Sequence, residues 1–189
     1  DPEAPEVPIT TWIGEGWNID SVYITGWNVG LYSSKAARWN GRRVVFDKCD
    51  NGLELDTGTS DTNNCHHWYG VNVTNCDIGI KANGINGGLF YIQDAAHNRL
   101  TGEFTNCLCS IDGGKIESYS EAGIAFISSH MTVGAMHFNA GNAIFPMVAT
   151  GSSAISLQGV ECNTVGQLVP MISVDATSKA WGWTSSYLE

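Results

Sequence analysis

Thr74-Asn75-Cys76-Asp77-Ile78-Gly79-Ile80 returns further along the chain as Thr105-Asn106-Cys107-Leu108-Cys109-Ser110-Ile111, and Cys49-Asp50-Asn51-Gly52-Leu53 carries the same turn. Weaker copies are Trp27-Asn28-Val29-Gly30-Leu31, Ser120-Glu121-Ala122-Gly123-Ile124 and Asn163-Thr164-Val165-Gly166-Gln167. Ahead of the turn lies an alternating strand, as in Val22-Tyr23-Ile24-Thr25 and Val71-Asn72-Val73-Thr74, with one apolar and one polar face. Glycine suits the turn because it accepts backbone angles closed to other residues, and the Asn or Asp before it can bond the turn backbone.

The anchors Gly30, Gly52, Gly79, Ser110 and Gly123 are 22, 27, 31 and 13 residues apart, so the motif is fixed while the period is elastic. A β-solenoid behaves this way, because insertions enter at loops without breaking the stack. An antiparallel β-sandwich also has many short strands, but it has no reason to repeat one turn at one phase. The expected fold is therefore all-β, a right-handed single-stranded parallel β-helix, the hand following from the general handedness of parallel crossovers. Equivalent residues of successive coils then stand about 4.8 Å apart. Cys49, Cys76 and Cys107 are expected to stack inside as a ladder of buried free thiols.

Residues 1–16 open with Pro2, Pro5 and Pro8 among acidic residues and read as an extended linker or N-terminal cap. Residues 17–169 hold the repeat. Residues 170–189 are assigned to a C-terminal cap or a connection to a missing domain, with Leu188-Glu189 a candidate cloning remnant.

Nine Lys and Arg against 19 Asp and Glu give a formal charge of −10, which repels phosphate backbones and anionic membrane surfaces. Neither nucleic acid nor a membrane is an expected partner, and no apolar run approaches the length of a span. The six Cys show no tight disulfide framework. Cys65-His66-His67 lacks the second spaced pair that would complete a tetrahedral metal set, so no metal and no cofactor are expected.

Measured from the anchors, three insertions of growing length are expected side by side at one corner: residues 34–42, 56–68 and 83–99. They carry Trp39, Trp68, Tyr69, Tyr91, His97 and Arg99, together with Asp56, Asp61 and Asp94. Aromatic faces beside carboxylates, amides and guanidinium groups suit a carbohydrate, whose C–H bonds lie on rings while its hydroxyls take the polar groups. The basic run around Arg38 and Arg42 suggests an anionic glycan. Equally, such loops could cover the solenoid or pack against another subunit.

The repeated Asn-Cys-x-x-Gly-Ile type of turn, the alternating strands, the acidic Gly-rich composition and the Trp- and Tyr-bearing insertions resemble the parallel β-helix of bacteriophage tailspikes, an architecture shared with pectate-lyase-like proteins. The resemblance covers roughly residues 17–169. It implies a homotrimer on the virion tail that binds, and in many cases cleaves, polysaccharide of the bacterial surface, capsule or O-antigen. It also implies folding in a reducing cytoplasm, where free thiols are the default.

A glycosidase needs two carboxyl groups about 5–5.5 Å or 6.5–9.5 Å apart. Two positions after the anchors, Tyr32, Glu54, Lys81 and Asp112 are expected in one outward row, where Lys81 would keep Glu54 and Asp112 ionised. Asp56 paired with Asp94 or Asp61 is the preferred catalytic set, with Glu54 also a candidate and Glu103 a reserve acid. A lyase would instead use His97 or Lys81 as base, with Arg99 neutralising a uronate. Trp39, Trp68, Tyr69, Tyr91, His97 and Arg99 are the expected substrate contacts. A receptor-binding or structural appendage without catalysis remains the alternative.

Overall fold

The structure, a computed structural model, describes residues 16–34, 38–56, 66–140, 145–164 and 170–188. The chain is an all-β, parallel β-solenoid of about seven turns, with no helix among the described residues. Every strand pairing in it is parallel.

Each coil passes three faces. Face 1 is built from Asn18–Asp20, Asn40–Arg42, the first halves of His67–Thr74 and Asn86–Ala96, then Leu108–Asp112, His130–Gly134, and the first halves of Ala154–Thr164 and Lys179–Leu188. Face 2 is built from Tyr23–Thr25, Val45–Asp47, Lys115–Glu117, His137–Ala140 and the second halves of the same four long strands. Those long strands join faces 1 and 2 into one 12-stranded sheet. Face 3 is a separate sheet of seven strands, Val29–Ser34, Asn51–Asp56, Ile78–Asn83, Leu100–Thr105, Ala122–Ile127, Met147–Thr150 and Ile172–Val174. The stack thus continues through residues 172–188, beyond the stretch that carries the turn motif.

Left-handed backbone makes the corners. Between faces 1 and 2 stand Ser21, Arg43, Gly70, Gly113 and Gly114, Ala135 and Gly159; between faces 2 and 3 stand Gly26, Lys48, Asn75, His97 and Ser118. Gly84, Asn106, Ser128 and Ser152 close the coil from face 3 back to face 1. A positive φ is uncommon outside glycine, and Asn tolerates it best because its short amide can bond locally. This is the physical content of the Asn-Cys turn: the Asn bends the chain, and the Cys behind it points inward.

The same dipeptide serves two different corners, which corrects the expected thiol ladder. Cys49 and Cys76 do stack, at the corner between faces 2 and 3, where Asn98 follows them. Cys107 lies at the corner between faces 3 and 1, in line with Ile85 and Ser129. Ser110 accordingly is no counterpart of Gly79. The true counterpart is Thr101, whose carbonyl lies 2.6 Å from where a Cβ on Gly79 would stand.

The interior is apolar and continuous. Phe46, Trp68, Phe90, Phe104, Phe126 and Phe138 are all fully buried, and the Phe90 and Phe104 rings meet edge to face with centroids 5.4 Å apart. Trp68 fits because its neighbour in the preceding coil is Gly41, where a Cβ would lie 2.0 Å from the indole. Cys49, Cys76, Cys107, Cys109 and Cys162 are buried, the first four as free thiols, and burial pushes the Cys76 thiol up to about 11. Cys65 lies outside the described residues.

Buried polar groups at the corners are coupled from coil to coil. The backbone N–H of Cys107 donates to Ser129 Oγ at 3.0 Å, that of Ser129 to Ser153 Oγ at 3.1 Å, and that of Ser153 to Ser178 Oγ at 3.0 Å. At the other corner the Cys76 N–H donates to Asn98 Oδ1 at 2.8 Å, and Asn98 Nδ2 donates to the Val73 carbonyl at 3.0 Å. Turn backbone that would be orphaned inside is thereby satisfied.

Candidate functional site: the outer side of face 1

Face 1 presents three parallel outward columns. The first runs Leu108, His130, Ala154, Lys179; the second runs His67, Leu89, Ser110, Thr132, Ser156, Trp181; the third runs Arg42, Tyr69, Tyr91, Asp112, Gly134, Gln158, Trp183. Small hydroxyl side chains floor the middle, and aromatic rings stand at both ends. Tyr91 and Trp183 are four rungs apart, roughly 19 Å by the strand spacing.

The rings are held, not dangling. A Cβ on Gly113 would fall 2.0 Å from the Tyr91 ring, and one on Gly159 would fall 2.7 Å from Trp183. Both glycines sit in left-handed corners between faces 1 and 2, so each ring lies on a bare stretch of backbone. Even so, Tyr91 is 38% and Trp183 69% exposed. His67 meets Tyr69 edge-on with centroids 6.3 Å apart, and Lys179 Nζ stands 5.9 Å from the Trp181 ring. Between the rings is an open groove of about 420 Å³ lined by Gly87, Gly88, Leu108, Ser110, His130, Thr132, Ala154, Ser156 and Trp181, with Cys109 and Met131 beneath.

No protein-family model matches the chain, no curated protein matches it, and no solved structure matches it. The functional reading therefore rests on this geometry and on the fold, and a parallel β-helix is consistent with polysaccharide binding or cleavage.

The residues singled out in the sequence are dispersed over the solenoid. Tyr69 and Tyr91 stand together as in-register neighbours on face 1. Trp68 belongs to the core, with no ring face toward solvent, and Trp39 is buried with its ring 6.0 Å from that of Trp17. His97 is an exposed left-handed corner residue. Arg99 spans the outer edge of face 3, donating to Asp77 at 2.7 Å and pairing with Glu121; this bond to Arg99 holds the Asp77 carboxyl below its ordinary value.

Among the carboxylates, Asp56 and Glu54 lie on face 3. Asp56 accepts from Asn83 Nδ2 at 3.1 Å; Glu54 accepts from Asn51 Nδ2 at 2.8 Å and faces Lys81 Nζ at 3.8 Å. Asp94 is on face 2, in register with Lys115. Asp56 and Asp94 thus occupy different sheets. The outward row of face 3 is Tyr32, Glu54, Lys81 and Glu103, so Glu103 takes the place expected for Asp112. Asp61 falls outside the described residues, as do 35–37 and 57–65 of the first two expected insertions. The third expected insertion is largely strand: after the Gly84-Ile85 turn, residues Asn86–Ala96 run through faces 1 and 2, with Phe90 and Ile92 inward and Tyr91 and Gln93 outward.

Sequence reasoning passed over Trp181, Trp183, Leu108, His130 and the Ser110, Thr132, Ser156 floor. The usable signal was Trp181-Gly182-Trp183, because two rings at i and i+2 of a strand share one face.

Proposed function

We propose that this protein binds bacterial surface polysaccharide along the outer side of face 1, as a receptor-binding protein of the tailspike type. The observation that carries the reading is the pair of ring-bearing ends around a hydroxyl floor, with Tyr69 and Tyr91 at one end and Trp181 and Trp183 at the other. Exposed aromatic rings supply C–H stacking area at little entropic cost, and Ser, Thr, Gln and Asp side chains match sugar hydroxyls as donors and acceptors. Arg42, in register with Tyr69, adds a cation at one end for an acidic sugar.

Binding is favoured over cleavage. Between Tyr91 and Trp183 the third column holds one carboxylate, Asp112, whereas glycoside hydrolysis in its usual form needs two flanking one bond. The candidate acids Glu54, Asp56 and Asp94 stand on the other two faces. The homotrimer and the virion tail belong to the same proposal through the resemblance of the turn motif, and exposed Tyr23 with half-buried Val45 and Tyr32 gives such an assembly apolar surface to cover.

The test is calorimetric titration with a panel of purified capsular and O-antigen polysaccharides, with reducing ends and unsaturated-uronate absorbance followed in parallel. Saturable binding without new reducing ends is the expected result. New reducing ends would replace binding with hydrolysis or, with absorbance, elimination. No heat with any member would count against the glycan reading.

A further inference from the structure

Leu108 is the anomaly of face 1. It is 56% exposed in the middle of the sheet, where the outward neighbours other than half-buried Leu89 are small or polar: Asn86 and His130 in register on the coils to either side, Ser110 on its own strand, and Thr132 diagonally across. An isolated exposed leucine needs no explanation, but this one walls the groove of face 1, together with Ala154 and Trp181. The groove therefore pairs an apolar contact with hydrogen-bonding groups of both senses a few ångströms away. Hydroxyls donate and accept, and the imidazole of His130 does either according to its tautomer.

Resting on the glycan reading above, we infer that the Leu108 groove is a subsite for an acetamido sugar. The methyl of the acetamido group lies on Leu108, and its amide N–H and carbonyl are taken by the hydroxyls of Ser110 and Thr132 and by His130. A plain hydroxyl in that place would leave Leu108 wet and one of the polar partners unmatched. A methyl without an amide would leave both polar senses unused. Gly87, which has no side chain, and Ala154 give the substituent room, and Trp181, three rungs along, provides a ring face for a sugar further along the glycan chain.

Two neutral probes isolate the substituent: the tetramer of β-1,4-linked N-acetylglucosamine and the tetramer of β-1,4-linked glucose, which share a backbone and differ at C2. The acetamido tetramer is expected to bind about tenfold more tightly, the combined worth of one buried methyl and a net hydrogen bond. Leu108→Ser should erase the preference by weakening the acetamido tetramer toward the glucose tetramer, while leaving the urea midpoint unchanged. Equal affinity of the wild-type protein for both tetramers overturns the acetamido subsite and leaves the glycan reading standing. Failure to bind either tetramer, with a polysaccharide of the panel still bound, also overturns the subsite. Failure to bind tetramers and panel alike overturns both. A change of oligomeric state in Leu108→Ser by light scattering, with the preference intact, would make the patch a contact between copies of the chain and overturn the subsite.

Discussion

The ring of Tyr91 lies directly on Gly113 of the next coil, so close that a Cβ there would come within 2.0 Å of it. Gly113 also has φ +71°, a conformation that a residue with a Cβ adopts only at a cost. Gly113→Ala is therefore expected to lower stability by roughly 1–3 kcal/mol and to push the Tyr91 ring off the surface. Urea unfolding and polysaccharide titration should both register the change. A variant of unchanged stability and affinity would mean that the ring does not rest there.

The two corners should respond differently to substitution. Cys107 Sγ donates to the Thr105 carbonyl at 3.2 Å, and in the next coil Ser129 Oγ fills the equivalent place, donating to Ile127 O at 2.9 Å. Cys107→Ser can reproduce that bond and is expected within about 1 kcal/mol of wild type. Asn98→Ala leaves the Cys76 N–H buried without its partner, so a loss of roughly 1–3 kcal/mol is expected. Denaturant midpoints of the two variants in the reverse order would refute the corner assignment.

Acid should loosen the C-terminal coil. Asp175 accepts hydrogen bonds from the backbone of Gly151 at 2.8 Å, Ser178 at 2.8 Å and Thr177 at 3.0 Å, which hold its carboxyl well below the ordinary value of 3.8. A carboxyl whose folded value is depressed stabilises the fold at any pH above its unfolded value. That gain is lost as the pH falls from there through the folded value. Between about pH 4 and pH 2 the wild-type urea midpoint should fall more steeply than that of Asp175→Asn, which starts lower at pH 7. Parallel pH profiles would show that this turn carries no such stabilisation.

The coil was legible because its determinants are local. Alternation of apolar and polar residues fixes which side of each strand faces inward, and Gly, Asn or Ser supplies most of the left-handed corners, with Arg43, Lys48, His97 and Ala135 at the others. Two things were not legible. Corners with equal local demands accept the same Asn-Cys dipeptide, so the motif could not say which of two corners Cys107 occupies. That slip of one corner also misplaced Ser110 and Asp112. The run Leu89-Phe90-Tyr91-Ile92 reads as an insertion only if the slip is accepted; in the correct phase it alternates inward and outward like any other strand. Trp68 was misjudged for a related reason: its burial depends on Gly41 in the preceding coil, a match visible only once the register is known.

The most direct measurement compares polysaccharide affinity in Trp181→Ala, Trp183→Ala and Trp27→Ala, using whichever capsular or O-antigen preparation binds the wild-type protein. All three tryptophans are substantially exposed, but Trp27 stands at the corner between faces 2 and 3, away from the groove. Each face 1 substitution should weaken binding about tenfold, the loss of one stacked ring, with the urea midpoint unchanged. Trp27→Ala should bind like wild type. Equal affinities across all three variants, or a loss confined to Trp27→Ala, would contradict a glycan site on face 1.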